Sequence, residues 1–91
     1  MTPIRVVVAD DHTLVRESLV SLLEAAGDVQ VVAQASSGIE TIEKAVATRP
    51  DVVVTDLSMP GLGGIEVVRR LHEAVPDTRV LVLTMHQEDE Y

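Results

Sequence analysis

A chain of 91 residues can hold one compact domain, so we expect a single core and no second domain. Seven Lys and Arg residues against fifteen Asp and Glu residues give a net charge of −8, which repels phosphate backbones and argues against direct nucleic-acid binding by this chain. The absence of cysteine excludes disulfides and thiolate metal sites. No apolar run reaches the roughly 18 residues of a membrane span and no signal peptide is visible, so we expect a cytoplasmic protein without membrane contact.

Four β-branched runs predict strands that are buried in a sheet. In chain order they are residues 4–9 (IRVVVA), 29–35 (VQVVAQA), 51–55 (DVVVT) and 79–83 (RVLVL). Three segments with helical spacing of apolar residues lie between them, and the acidic run after the fourth strand suits the start of another helix. This alternation predicts an α/β protein with a parallel sheet, helices on both faces and right-handed crossovers.

The apolar positions of each helical segment predict which side chains face the sheet. They are Val15, Leu19, Leu22, Leu23 and Ala26 in the first helix, Ile39, Ile42 and Val46 in the second, and Ile65, Val68, Leu71 and Val75 in the third. Ser37 and Glu40 have the spacing of a capping box at the start of the second helix. Gly27 can end the first helix, and Pro76 ends the third.

Three carboxylates follow predicted strands. Asp10 and Asp11 come directly after the first strand, and Asp56 comes after the third. If these strands are parallel neighbours, the carboxylates converge at the edge where ligands bind in such sheets. Each aspartate alone is more typical of a turn or a cap, and Asp11 could cap the first helix. Together they predict a divalent cation site, and oxygen ligands favour Mg²⁺.

Other polar residues near this edge carry weaker signals. Thr84 ends the fourth strand and offers a hydroxyl to an anion, and residues 58–64 (SMPGLGG) offer flexible backbone. The three histidines do not have the spacing of a zinc site, and we interpret His12 and His72 as solvated. The sequence has no glycine-rich dinucleotide or P-loop motif.

The segments VVVADDH (6–12), VVVTDLSMPG (52–61) and LVLTMH (81–86) strongly resemble the receiver domain of bacterial two-component response regulators, in the NarL/LuxR-type branch. The resemblance covers the whole chain and implies a flavodoxin-like (CheY-like) doubly wound parallel sheet. Residues 1–91 would form one incomplete receiver domain, with β-α-β-α-β-α-β and the start of a fourth helix. The family continues with the rest of that helix, a fifth strand that carries a Lys, a fifth helix and, in this branch, a helix-turn-helix DNA-binding domain.

The resemblance also implies roles for the acidic residues. Asp56 would be the phosphoacceptor and would take its phosphoryl group from a phosphohistidine of a partner histidine kinase. Asp11, Asp56 and the Ser58 carbonyl would ligate Mg²⁺, and Asp10 would do so directly or through water. The chain would therefore not be an enzyme acting on other substrates, since its chemistry is confined to its own phosphorylation and dephosphorylation.

Three further positions carry roles implied by the resemblance. Thr84 would move toward the phosphoryl oxygens and change the surface that the domain presents. Ser58 and His86 would flank the phosphoryl group and tune its hydrolysis, although a solvated histidine at a helix start is an equal interpretation for His86. The domain would then control transcription through the C-terminal DNA-binding domain, the only part that contacts DNA.

Two other functions remain open from the sequence. One is a phosphorylation-independent interaction fragment whose acidic pocket is vestigial. If the 91 residues are the entire molecule, the open edge of the fourth strand and the uncovered first helix predict homodimerisation or domain exchange. The other is a flavodoxin-like small-molecule binder, which would require a phosphate-cradling loop in place of the acidic cluster.

Overall fold

The computed structural model describes residues 2–57, 59 and 61–83. Its elements, in chain order, are β1 (Ile4–Ala9), α1 (Thr13–Ala25), β2 (Val29–Ala35), α2 (Gly38–Thr48), β3 (Val52–Asp56), α3 (Gly64–Ala74) and β4 (Arg79–Leu83). The four strands form a parallel sheet in the order β2-β1-β3-β4. The predicted fold class is confirmed, with the third strand running from 52 to 56 instead of 51 to 55. The predicted start of a further helix lies outside the described residues.

The face of the sheet covered by α2 and α3 holds the larger core. Val7 and Val53 from the two central strands pack there with Ala45, Leu71 and other residues of the two helices. These side chains are almost completely excluded from solvent. Because α2 and α3 also pack against each other, this face forms a closed apolar layer.

The opposite face is covered by α1. Val6, Val8 and Val54 are buried there, against partly buried residues of α1 that include Leu19 and Leu23. All residues of α1 are described, and none of them is buried. The strand side of this layer is therefore buried, while the helix side remains half open.

Some predicted inward positions are wrong. Leu22 is 71 % exposed and Ile65 is 83 % exposed. The other exposed positions of this group are Ala26, Ile39 and Val46. In α2 the small side chains of Thr41 and Ala45 are buried, since small residues allow the helix to lie close to the sheet.

The fourth strand also differs from its prediction as a buried strand. Within the part of the chain that the structure describes, β4 pairs with β3 alone. Leu81 is 56 % exposed, and Val82 and Leu83 are exposed as well. A parallel strand is buried only when both faces and both neighbours are present, so β4 is an apolar sheet edge here.

Two local details concern β2 and the start of α2. The pairing of β1 with β2 shifts by one residue between Val6 and Val7, where Val7 pairs with Ala33. At the start of α2 the predicted cap is present, with the backbone N–H of Glu40 donating to Ser37 Oγ. The Glu40 carboxylate accepts a hydrogen bond from the backbone N–H of Ser36, the residue before the one that a capping box would use.

None of the helices in the described residues has both the length and the apolar character that a membrane crossing requires.

Candidate functional site: a carboxylate cluster at the sheet edge

The structure confirms that the carboxylates of Asp10, Asp11 and Asp56 lie close together. β1 and β3 are parallel neighbours with Ala9 paired to Thr55, so Asp10 and Asp56 lie next to each other just beyond this pair. Asp10 is 3 % exposed and Asp56 is 4 % exposed, with Asp11 half buried beside them. Ligand atoms of these aspartates and of His12 all lie within 4.8 Å of one another. The topology of the sheet therefore creates a compact acidic site.

His12 belongs to this cluster, which the sequence interpretation missed. Its side chain is exposed, but Nδ1 lies 3.1 Å from Asp10 Oδ1 and 3.1 Å from Asp11 Oδ1. Its backbone N–H donates to Asp10 Oδ1 at 2.8 Å, which forms an Asx-type turn. The interpretation of His12 as solvated is confirmed for its exposure, but it missed these contacts with the two aspartates. The available signal was that Asp10 precedes His12 by two residues. At this spacing an Asp side chain accepts the backbone N–H of an Asx turn, which brings His12 toward the cluster.

The acidic surroundings favour the charged form of His12. The hydrogen bond with the Asp10 carboxylate, followed by the negative charge of Asp11, raises the pKa of the imidazole above its ordinary value. A protonated His12 would balance part of the negative charge in the cluster. When protonated, the imidazole is a counterion at the exposed rim of the carboxylate cluster.

The donor set fits a metal ion. Among the described residues, Asp11 Oδ1 is a buried oxygen that accepts no hydrogen bond. It lies at ion-pair distance from His12 Nδ1, but the hydrogen bond of that nitrogen goes to Asp10. A buried acceptor without a donor is costly unless a cation or water satisfies it, and carboxylate oxygens are the ligands that hard divalent cations prefer. The cluster could therefore hold such an ion.

Arg16 contacts the main chain behind the carboxylates. From the first turns of α1, its Nη1 donates to the backbone carbonyl of Asp10 at 2.7 Å, and its Nε donates to Gln34 Oε1 at 3.1 Å. The backbone N–H of Asp10 donates to the Ala35 carbonyl on β2. The residue that starts the acidic pair is thus held by both β2 and α1. No motif in the sequence pointed to Arg16 or Gln34.

The remaining predicted site residues have mixed outcomes. Ser58, Thr84 and His86 lie outside the described residues, so their predicted roles stay predictions. His72 is exposed on α3, as expected for a solvated histidine. The N-cap of α1 is His12, so the alternative that Asp11 caps this helix is wrong.

An apolar groove of about 360 Å³ begins beside the cluster. It runs between α1 and the end of β4, with Asp10 at its polar end. Its other lining residues are Leu14, Val15, Ser18, Leu19, Leu22 and Leu83. The acidic site and the open apolar face are therefore adjacent on the molecule.

A family model described as the response regulator receiver domain matches residues 6–91, which include every member of the cluster. The chain belongs to this receiver domain family. As a receiver domain of two-component response regulators, it resembles the response regulator GacA of Pseudomonas viridiflava, with 46 % identity over 88 residues. It also resembles the oxygen regulatory protein NreC of Staphylococcus epidermidis, with 42 % identity over 88 residues.

Solved structures agree with this assignment. The signal receiver domain of the response regulator NarL from Mycobacterium tuberculosis has a TM-score of 0.90 and 39 % identity, over 99 % of this chain and 73 % of that one. RcsB from Salmonella enterica serovar Typhimurium, bound to promoter rprA, has a TM-score of 0.85 and 31 % identity, over 92 % of this chain and 43 % of that one. The alignments with GacA and NreC cover 97 % and 96 % of this receiver domain but 41 % and 40 % of those proteins.

Proposed function

We propose that this receiver domain accepts a phosphoryl group on Asp56 from a phosphohistidine of a histidine kinase. In this proposal Asp11, Asp56 and the Ser58 carbonyl hold Mg²⁺, with Asp10 acting directly or through water. The observation that carries the proposal is the convergence of buried carboxylates and a buried oxygen without a hydrogen bond at one sheet edge. Membership of the receiver family supports it.

The chemistry assigned to Asp56 is nucleophilic attack by a carboxylate. An oxygen of Asp56 forms a bond to phosphorus while the bond from phosphorus to the imidazole nitrogen breaks, and the imidazole keeps the electron pair and gains a proton. Bound Mg²⁺ would neutralise charge on the phosphoryl oxygens. β3 holds Asp56 in place, since Val53, Val54 and Thr55 before it are buried.

Readout of the phosphorylated state is proposed to involve Thr84. Its hydroxyl would contact the phosphoryl oxygens, and Ser58 and His86 would tune hydrolysis of the acyl phosphate. All turnover would be confined to Asp56 of the same chain, so no external substrate besides the phosphodonor is required. A cytoplasmic location is consistent with this role.

Control of transcription is the proposed output. RcsB, which this chain resembles, was solved bound to a promoter. Because the chain spans about two fifths of the length of GacA and NreC, DNA binding is proposed for a separate C-terminal domain of the whole protein. The acidic composition of this chain agrees with that division, since a net charge of −8 opposes contact with DNA. The alternative of an interaction fragment with a vestigial pocket is not favoured by these comparisons.

The phosphoryl assignment is tested by intact mass after incubation with Mg²⁺ and acetyl phosphate. We expect the wild type to gain one phosphoryl group, and Asp56→Asn and a wild-type sample in EDTA to gain none. Asp77→Asn is the matched control, because Asp77 is an exposed loop aspartate and the chemical change is the same. Equal phosphorylation of Asp56→Asn, or phosphorylation that is independent of metal, would contradict the proposal.

We also propose that the 91-residue chain associates with a second copy of itself. The apolar edge of β4, with Leu81 and Leu83 exposed, is continuous with the groove lined by Leu14 and Leu22. Among the described residues the outer edge of β4 is unpaired, and an unpaired strand edge beside an apolar groove is a surface that a second copy can cover.

Sedimentation over a concentration series tests this association. We expect dimers in the wild type and a shift to monomers in the double variant Leu22→Glu and Leu83→Glu. The control is Ile65→Glu, which adds one glutamate at an exposed apolar residue of α3, away from the groove. A wild type that is monomeric throughout the series would contradict the association and leave the phosphoryl assignment intact.

A further inference from the structure

We propose that Arg16 is a positioning residue for the metal site, acting through the peptide that joins Asp10 to Asp11. The inference rests on the proposed function of the cluster as a Mg²⁺ site. Arg16 does not touch the reacting atoms, and its effect on Asp11 passes through the main chain.

Arg16 donates two hydrogen bonds from two nitrogens of its planar guanidinium group. Nη1 donates to the Asp10 carbonyl at 2.7 Å, and Nε donates to Gln34 Oε1 at 3.1 Å. A guanidinium presents its donors in a fixed plane, so the bond to Gln34 restrains the direction of the bond to Asp10. Arg16 therefore fixes the orientation of the Asp10 carbonyl more strongly than one flexible donor would.

The Asp10 carbonyl and the Asp11 amide nitrogen belong to the same peptide plane. A change in the torsion about the Cα–C bond of Asp10 would turn this plane and displace the Asp11 Cα, and with it the Asp11 carboxylate. On the other side of Asp10, the backbone N–H is bonded to the Ala35 carbonyl at 3.0 Å. Apart from the ion pair with His12 Nδ1 at 3.1 Å, the described residues give Asp11 Oδ1 no partner, and His12 itself lies on the same short segment of main chain. The orientation of the Asp11 carboxylate thus depends on the main chain that Arg16 holds.

The position of Gln34 is set by its place in the sheet. Gln34 pairs with Val8, whose side chain belongs to the cluster that packs against α1. Side chains of directly paired residues in neighbouring strands lie on the same face, so Gln34 faces the helix that carries Arg16. The bond between Arg16 and Gln34 is thus a contact between α1 and β2.

A purely electrostatic role of Arg16 predicts the opposite effect on metal affinity. A guanidinium near a cation site repels the cation, so removal of its charge would tighten Mg²⁺ binding. Loss of a positioning contact would weaken binding, and residues that hold the ligands of a metal site in place typically contribute about tenfold to a hundredfold in affinity. The sign of the change therefore distinguishes the two roles.

The experiment measures the dissociation constant of Mg²⁺ by calorimetric titration at fixed ionic strength. We expect Arg16→Gln to raise it by about tenfold. Gln34→Ala should raise it by a smaller factor, because the Asp10 bond remains. Arg16→Lys should restore only part of the affinity, because one ammonium cannot reproduce the planar pair of donors. The matched control is Arg79→Gln. Arg79 is the first residue of β4 and lies at the amino ends of the strands, so the dissociation constant should not change.

Two further measurements keep the result interpretable. Thermal unfolding in EDTA identifies a temperature at which every variant is folded, and the titrations are done there. The amide resonance of Asp11, recorded in EDTA, should shift or broaden in Arg16→Gln and not in Arg79→Gln. If the wild type binds no Mg²⁺, the proposed function fails while this resonance still reports on Arg16. If the wild type binds Mg²⁺ and Arg16→Gln binds it equally or more tightly, the positioning role is overturned.

Discussion

The two faces of the sheet differ in how completely helices cover them. On one face, α2 and α3 enclose a core in which Val7, Val53 and Leu71 are almost fully buried. On the other face, α1 covers Val6 and Val8 but contributes no buried residue of its own, although all its residues are described. Among the described residues, α2 and α3 pack against each other as well as on the sheet, whereas α1 packs mainly on β1 and β2.

One face of the sheet is closed by helices, and the other leaves a surface that a ligand or partner can reach. The closed α2/α3 layer supports the central strands that carry Asp10 and Asp56 to the sheet edge. The half-open α1 layer leaves an apolar groove next to those same carboxylates. Substitutions on the closed face should therefore affect the free energy of unfolding, and substitutions on the open face should affect association.

The largest expected effect contrasts one leucine from each face. Leu71→Ala removes a fully buried side chain from the α2/α3 core and should lower the free energy of unfolding by about 2–5 kcal/mol. Leu22→Ala removes a side chain that is mostly exposed in the single chain and, at concentrations too low for association, should change it by no more than about 0.5 kcal/mol. Urea unfolding of both variants measures the contrast, and equal losses would show that the open face is closed in solution.

A second contrast examines how closely the start of α3 is packed. A Cβ added at Gly64 would lie 2.7 Å from the Leu57 carbonyl oxygen, whereas one added at Gly63 would have no atom within 4 Å. Gly64→Ala should therefore cost about 1–3 kcal/mol through overpacking. Gly63→Ala should cost only the modest preference of an N-cap for glycine over alanine. Urea unfolding should rank the two variants in this order, and the reverse order would contradict the described packing.

A third prediction concerns the helix starts. Ser37 Oγ caps α2 by accepting the Glu40 N–H at 3.2 Å, so Ser37→Ala should cost about 1 kcal/mol. Ser21→Ala, at an exposed position within α1, is the control and should be neutral or slightly stabilising because alanine is the better helix former. Thermal unfolding measures both, and equal behaviour would mean that the cap is absent in solution.

The smallest expected effect is a pH dependence of the free energy of unfolding that arises from exposed ion pairs of Glu66 on α3. Hydrogen bonds from Arg69, and then from Arg70, lower the pKa of Glu66 from 4.5 to about 2. Because the folded-state pKa is depressed, the stabilisation is complete above pH 4.5 and is lost as the pH falls from there toward about 2. Exposed pairs of this kind contribute little, so the change should be small.

Comparison of wild type with Glu66→Gln in urea unfolding across this pH range isolates the contribution. We expect the variant to be less stable at neutral pH and the difference to vanish near pH 2. A difference that is independent of pH would show that the ion pairs do not form in solution.

The strands and the acidic convergence could be predicted from the sequence because they depend on local patterns and on parallel topology. The predicted inward positions of Leu22 and Ile65 are wrong because helical periodicity defines an apolar stripe but not which part of it a neighbour covers. The exposure of β4 likewise depends on its pairing with β3 alone among the described residues, which its own apolar sequence does not reveal. The contact of Arg16 with Asp10 and Gln34 depends on the exact register of β2, which no local pattern reveals.

The register shift between β1 and β2 leaves one residue of β2 without a partner on β1. Val29 and Val31 pack toward α1, whereas Val32 and Ala33 both pack toward α2 and α3, so one of these two adjacent residues has no partner on β1. A deletion of Val32 would leave every other pair, including Val8 with Gln34, in place. A deletion after the shift, at Gln34 itself, would remove the partner of Arg16. Along this strand, tolerance to a one-residue deletion should therefore change sharply within two positions.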